Sequence, residues 1–261
     1  MSTTFSERRK TILEVLAEDG SVSVSDLAKR LGVTPVTART DLAALEEEGV
    51  LVRTHGGALP AFHAELFERS RQGLEAKSVV AKAAAAEIQN GDTVIISAGT
   101  TTALIAKYLL GKRDVHIVTN NTLVLTYARM NPQLRVTLVG GEFRASEEGI
   151  VGPMALAAID QFHVSKTFIG IDGASVQQGF TAHFLESADL VRKMADQADE
   201  VVVVSDSSKF AKSGFARILP FNKVDTLITD AQLSDEFEEI LTRSDVRIVK
   251  TSVEKKEVRN T

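Results

Sequence analysis

The sequence predicts an α/β protein with a winged helix-turn-helix at its N-terminus and a larger domain built on a largely parallel sheet. Three observations lead there. Residues 6–58 hold three short helical periods with cap and turn residues at their ends. From residue 76 the texture changes to short apolar runs alternating with helical stretches. Most of those runs read as continuous apolar stretches rather than as an apolar–polar alternation, the pattern of strands covered on both faces. The expected organisation is 1–58 for the helical unit, 59–75 for a linker and 76–261 for the sheet domain.

Composition narrows the possible functions. Of 261 residues, 44% are hydrophobic and 25% charged, enough apolar material for a core in a domain of ~150–200 residues. There is no cysteine, which excludes disulfides, thiolate zinc sites and cysteine nucleophiles. The five histidines (His55, His63, His116, His163 and His183) show no i, i+4 pairing and no carboxylate spacing suited to a metal. No apolar run approaches the ~18 residues of a membrane span, and Met1 to Lys10 lacks the hydrophobic stretch of a secretory signal. The expectation is a cytoplasmic protein with no metal, no cofactor and no membrane contact.

The first unit reads in order as follows. Ile12, Leu13 and Leu16 give a first helix one apolar face, and Asp19-Gly20 stops it. Ser23 with Asp26 three residues on resembles a capping box and opens a second helix, with Leu27, Ala28 and Leu31 turned inward. Gly32 supplies a tight turn. Thr34 is an N-cap ahead of Pro35 at the first helical position. A third helix runs from there to about Glu48, and Gly49 ends it. Val50 to Arg53 is strand-like, His55-Gly56-Gly57 is a turn, and Pro60 closes the unit. Residues 61–75 read as a connector of mixed charge, with a helical form left open and Gly73 inside it.

At ~100° per residue, Ala38, Leu42 and Leu45 share one side of the third helix and Val36, Thr40, Ala43 and Glu47 the other. The outer face is small, polar or cationic in its N-terminal half. Its end carries Glu46-Glu47-Glu48, which the helix dipole disfavours and phosphate would repel. Such a helix can enter a DNA groove only N-terminus first, the docking direction of helix-turn-helix proteins. Thr37, Arg39 and Thr40 would then reach base edges, with Thr34, Pro35 and Val36 at the leading end. Arg8, Arg9, Lys10, Lys29, Arg30, Arg53 and His55 would mostly face phosphate. Total charge speaks against this. The net charge is −5, and residues 1–60 hold seven Lys/Arg against nine Asp/Glu. A helical unit for protein contacts, with solvated arginines, stays open beside the DNA reading.

The strand candidates of the second domain are Thr93–Ser97, Val115–Thr119, Val136–Val139, Thr167–Gly170, Val201–Ser205, Thr226–Thr229 and Val246–Val249. Helical stretches at 77–89, 102–110, 121–130 and 187–198 lie between them, and Ala83–Ala86 reads as a closely packed helix segment. The strongest site signal is the run from Gly91 to Ser97, Ala98, Gly99, Thr100, Thr101 and Thr102. A strand ending in small hydroxylated residues at a helix start offers an anion backbone N–H groups, hydroxyls and a favourable dipole. A plain capped turn is the competing explanation, although one threonine would suffice for that. Asn120, Gly140-Gly141, Asp172 and Lys209 follow other strands, and ligands of open α/β sheets bind outside the strands' C-terminal ends. Asn120 and Asp172 suit sugar hydroxyls, the glycines allow close approach, and Lys209 suits phosphate. Each taken alone is equally well a turn or cap residue.

Residues 7–59, ERRKTILEVLAEDGSVSVSDLAKRLGVTPVTARTDLAALEEEGVLVRTHGGAL, resemble the N-terminal domain of the DeoR/GlpR family of regulators, through the Arg39-x-Asp41-Leu42 core and the His55-Gly56-Gly57-Ala58 wing. Thr40 stands where that family usually has a basic residue, which implies a different operator sequence. The segments of the second domain resemble the family's sensor domain. The resemblance implies a fold related to ribose-5-phosphate isomerase, a phosphorylated sugar or related metabolite as effector, and a repressor rather than an activator. Ser97-Ala98 replaces the usual Asp-Ser, and Val191 stands where lysine is frequent, which implies an altered effector pocket.

A sugar-phosphate isomerase-like enzyme is the alternative function. Ile171-Asp172-Gly173-Ala174 resembles that enzyme's Asp-Gly-Ala-Asp stretch, but Ser175 replaces the second acid. Val191 falls at the position of the catalytic glutamate, and moving a proton between adjacent carbons needs a positioned base. Glu186 is the nearby carboxylate, read as a helix-start acid or hydroxyl contact. The expected function is therefore DNA-binding regulation of carbohydrate-metabolism genes without catalytic residues. The partners are a double-stranded operator, the effector and further copies of the chain. A dimer or tetramer is expected because one short recognition helix reads too few base pairs.

Overall fold

Two hydroxyl caps fix where the helices of the first unit begin. In the computed structural model, which describes residues 4–19, 21–48, 50–60 and 64–252, helix α1 (Phe5–Asp19) is followed by the short strand β1 (Val22–Ser23) and helix α2 (Val24–Leu31). Ser23 Oγ accepts the Asp26 N–H at 3.1 Å and donates to the Asp26 carboxylate at 2.7 Å. Gly32 turns the chain at φ 65°, and Thr34 Oγ1 accepts the Thr37 N–H at 3.2 Å to open α3 (Pro35–Glu47). The helix ends expected at Gly20 and Gly49 lie outside the described residues, as do 61–63 of the expected linker and the tail from 253.

The wing is fuller than the sequence suggests. Strand β2 (Leu51–Thr54) turns at His55-Gly56 into β3 (Gly57–Pro60), and β1 pairs with β3 to complete a three-stranded sheet. Two-residue β1 was unreadable because only its pairing defines it. Ile12, Val15, Leu16, Leu27, Leu31, Ala38, Leu42, Leu45 and Leu51 bury together as one core. Helix α4 (Ala64–Arg71) and the start of α5 (Leu74–Ala86) occupy the stretch expected as linker. The chain divides into two compact units, Met1–Arg71 and Gln72–Thr261.

In the second unit the order is α5, β4 (Thr93–Ile96), α6 (Thr100–Lys107), β5 (Val115–Thr119), α7 (Leu123–Ala128) and β6 (Leu134–Leu138). Then come the hairpin β7 (Glu142–Arg144) and β8 (Gly149–Val151), helix α8 (Pro153–Ile159) and β9 (Val164–Ile169). Strands β10 (Gly173–Ser175) and β11 (Gly179–Ala182) precede α9 (Leu185–Asp196) and β12 (Ala198–Val204). The chain ends with β13 (Ala216–Leu219), β14 (Thr226–Asp230), α10 (Asp235–Arg243) and β15 (Arg247–Thr251).

All seven expected strands join one sheet, every pair parallel, in the order β15-β14-β12-β9-β4-β5-β6. Alternate residues serve opposite faces. Val94, Ile96, Ile117, Val202 and Ile228 pack under α5, α6 and α7. Ile95 and Val118 pack with α8 and α9, and Val203 and Leu227 with α9 and α10. This double covering is why the strands read as continuous apolar runs. The strand order reverses between β4 and β9: from β4 the chain winds one way, and from β9 the other. The connections that leave their C-terminal ends run to opposite faces of the sheet, the arrangement that opens a crevice in α/β sheets. Among the described residues, no helix is long and apolar enough to cross a membrane.

Candidate nucleic-acid interface and anion site

Helix α3 buries Ala38, Leu42 and Leu45 completely and leaves Val36, Arg39 and Thr40 exposed, as its periodicity requires. Thr34 and Thr37 lie at its start with their hydroxyls 3.0 Å apart, and Thr40 Oγ1 donates back to the Val36 carbonyl at 3.1 Å. Pro35 occupies the first turn. Arg39 makes no ion pair among the described residues. It shares a groove between helix and wing with Glu46, Arg53 and His55.

Several cations expected on phosphate are instead tied within the unit. Arg8 grips Asp41 with two prongs, Nε to Oδ2 at 2.7 Å and Nη2 to Oδ1 at 2.9 Å. Arg9 is buried and meets Glu48 at 2.8 Å. These two pairs clamp α1 to the middle and the end of α3. Arg53 donates from its backbone N–H to Glu46 Oε1 at 3.0 Å and from Nε to Oε2 at 2.5 Å, so the wing is clasped to the helix. The Arg53 backbone and side-chain bonds hold the Glu46 carboxyl below its usual range. The acidic helix end is thus two-thirds compensated: Glu46 and Glu48 each face an arginine and Glu47 faces solvent.

At the crevice, buried Ser97 follows β4, with its N–H on the Phe168 carbonyl and its Oγ accepting the Gly170 N–H, both at 3.0 Å. Asn120 is engaged at both ends of its amide: Oδ1 accepts the Ala98 N–H at 2.7 Å and Nδ2 donates to the Ile150 carbonyl at 2.9 Å. Asn121 Nδ2 donates to the carbonyls of Ser97 at 3.2 Å and Gly99 at 3.0 Å. Thr102 Oγ1 lies 2.8 Å from the Ser97 carbonyl and 3.0 Å from that of Gly99. Gly99 sits at φ 148°, where a side chain would be strained and would meet Thr102 Oγ1 at 2.9 Å. This buried network turns the carbonyls inward. The first-turn N–H groups of Thr100, Thr101 and Thr102 find no acceptor among the described residues, and neither do the hydroxyls of Thr100 and Thr101. Three open donors at the start of a helix suit an anion.

The other expected residues are spread along the same sheet edge. Asp172 lies just past Gly170, and its Oδ2 accepts the His183 N–H at 2.9 Å. Lys209 follows β12, in a 3-10 turn capped by Asp206, and makes no ion pair among the described residues. Gly140 and Gly141 follow β6 at the far edge of the sheet, two strands from β4. There a side chain on Gly141 would meet the Val151 carbonyl at 2.6 Å, so it serves the packing of β8.

Sequence reasoning missed the hairpin β7–β8, which leans on this turn. Its Gly149 bridges Asn121, and the Ile150 N–H donates to the Asn120 carbonyl at 2.8 Å. Arg144 on β7 reaches the start of α9, where it pairs with Glu186 at 3.2 Å and stacks 4.4 Å from the Phe184 ring centre. Ser187 Oγ donates to Glu147 at 2.5 Å. The Glu186 backbone N–H, followed by Arg144, holds the Glu186 carboxyl below its usual range. A pair of glycines with polar residues between them was the available signal, but three-residue strands carry no period.

Residues 72–231 match the DeoR C terminal sensor domain, and residues 8–61 match the DeoR-like helix-turn-helix domain. The chain belongs to the DeoR family. This DeoR-family regulator therefore has a DNA-binding first unit and a sensor domain behind it. It is 34% identical over 250 residues to a candidate aga operon transcriptional repressor from Escherichia coli O157:H7, covering 94% of this chain and 93% of that protein. The HTH-type transcriptional repressor GlcR of Bacillus subtilis is 31% identical over 249 residues, covering 94% and 96%. The glycerol-3-phosphate regulon repressor of Escherichia coli K12 is 30% identical over 245 residues, covering 93% and 97%. Among solved structures, ribose 5-phosphate isomerase A from Methanocaldococcus jannaschii aligns over 52% of this chain and 54% of its own, with 19% identity and a TM-score of 0.38. In the DeoR-family chain Val191 is buried in the core beside α9's other apolar residues.

Proposed function

We propose that this regulator represses carbohydrate-metabolism genes in the cytoplasm, binding its operator as a dimer or tetramer and releasing it when a phosphorylated sugar-type metabolite binds the sensor. The observation that carries the effector reading is the set of open N–H groups at Thr100, Thr101 and Thr102, held where the sheet order reverses. Gly99 lets the phosphate approach, Thr100 and Thr101 add hydroxyls, and Lys209 supplies charge from the neighbouring loop. Asp172 takes a sugar hydroxyl, while Asn120, Thr102, Gly140 and Gly141 keep the turn and its hairpin in shape. On DNA, Val36, Thr37, Arg39 and Thr40 face base edges, Thr34 and Pro35 lead, and His55 with the clasped Arg53 sets the wing on phosphate.

The binding reading is favoured over an isomerase because the position aligned with the catalytic base holds a buried valine and Glu186 is paired with Arg144. A gel-shift and footprint of the gene's own upstream region, with and without sugar phosphates, tests the proposal. Saturable, salt-sensitive binding that one sugar phosphate releases supports it, and no such binding at any promoter sinks it. Turnover of a pentose phosphate by the purified chain would overturn the non-enzymatic reading. Loss of target transcription on deleting the gene would make it an activator.

A further inference from the structure

We infer that Arg144 is a second charged contact for the effector, held by Glu186 when the site is empty and exchanged onto the ligand's anionic group when it fills. The inference rests on the Gly99–Thr102 turn being the anion site. Arg144 and Gly149 are direct cross-strand partners in the hairpin, so their side-chain positions lie on one face of it. That face looks onto the turn: a Cβ on Gly149 would lie 2.9 Å from Ala98 Cβ and 3.7 Å from Asn120 Nδ2. Only glycine permits that approach, and it brings the root of Arg144 beside the residue that precedes Gly99.

The guanidinium is positioned but incompletely satisfied. Nη2 lies 3.2 Å from Glu186 Oε2, whose side chain is 56% exposed. Nη1 is shielded from solvent, lies 3.6 Å from Glu147 Oε2 and makes no hydrogen bond. A buried donor without an acceptor is unfavourable. A phosphate or carboxylate oxygen would satisfy it with a charge-assisted bond, in the planar fork that arginine presents. Phe184 backs the guanidinium at 4.4 Å, and buried Glu147 is anchored by Ser187, so the arginine can change partner without leaving its place. Glu186 competes from solvent, where an ion pair is weak. The hairpin thus presents Arg144 to the same ligand as the helix start, from the other side of Ala98.

Thermal-shift titration of the full chain with inorganic phosphate tests this in wild type, Arg144→Gln, Glu186→Gln and Thr101→Val. Arg144→Gln is expected to raise the half-saturating phosphate concentration about tenfold, the loss of a charge-assisted bond. Glu186→Gln, a surface change, is expected to lower that concentration by freeing the arginine. Unchanged or weaker binding in Glu186→Gln overturns the exchange. Unchanged binding in Arg144→Gln, with weakened binding in Thr101→Val, overturns the role of Arg144 and leaves the turn as the anion site. Weakened binding in Arg144→Gln alone, with Thr101→Val unchanged, overturns the shared site and the turn with it.

Discussion

Arg8 and Asp41 meet in a two-pronged ion pair across 33 residues of sequence, and Asp41 is almost fully buried on the inner side of the recognition helix. Removing one partner strands the other in a poorly solvated place, whereas replacing both with apolar groups of similar size is close to neutral. Arg8→Met is therefore expected to lower the melting temperature of the first unit by roughly 5 °C or more. Arg8→Met combined with Asp41→Leu should recover most of that loss. Calorimetry on the three proteins checks it, and equal losses in the single and double variants would mean the pair does not set the helix.

Arg39 is exposed beside the wing without an ion partner among the described residues, so its role is expected to be on DNA alone. Arg39→Ala should leave the melting temperature unchanged, weaken operator binding tenfold or more, at about 1–3 kcal/mol for a lost base contact, and relax the preference at one base pair. Binding to a panel of single-base operator variants measures this. A uniform loss across the panel would reassign Arg39 to phosphate.

Glu46 and Arg53 give the wing a pH dependence of known sign. The folded Glu46 carboxyl lies below its ordinary 4.5, so the clasp stabilises the fold fully above that value. It is lost as pH falls through the lower, folded value. The Arg53 amide resonance should hold steady down to about pH 4.5 and move only below it, and in Glu46→Gln that movement should vanish. Movement between pH 5 and 7 would contradict the clasp.

Asn120 joins the turn before α6 to the hairpin through both ends of one buried amide. Asn120→Ala leaves the Ala98 N–H and the Ile150 carbonyl without partners and should destabilise the sensor unit by about 2 kcal/mol, read from urea unfolding. It should also abolish stabilisation by sugar phosphates, because the hairpin is released from the turn. Retained stabilisation would place the effector elsewhere.

The central parallel strands were legible because they are buried on both faces, so apolar residues fill every position of runs such as Val201–Val204. The caps at Ser23 and Thr34 were legible because a hydroxyl three residues ahead of the N–H it accepts is a local pattern. The pairs Arg8–Asp41 and Arg9–Glu48 were not, since opposite charges far apart in sequence look like any two surface charges. The same holds for Thr101 and Thr102. They are equivalent as letters, but helical geometry turns one hydroxyl onto the Ser97 carbonyl and leaves the other open. Helix α8 is only seven residues long, and the strands of the hairpin are held by Asn120 and Asn121 rather than by their own pattern. Helix α10 was readable in principle, with acids in its first turn and Phe237 and Leu241 four apart, but the polar residues around them masked the period.

The crevice joins residues made far apart in time. Ser97 and Gly170 are separated by 73 residues, and the wall between them cannot close until β9 has left the ribosome. The first unit is complete long before, since it ends at Arg71. Each new copy is therefore expected to fold its DNA-binding unit before it can sense anything, since local contacts form ahead of distant ones. During that interval its reading head is finished and its sensor is not. Stalled nascent chains ending before residue 164 should hold a protease-resistant first unit and show no response to sugar phosphates.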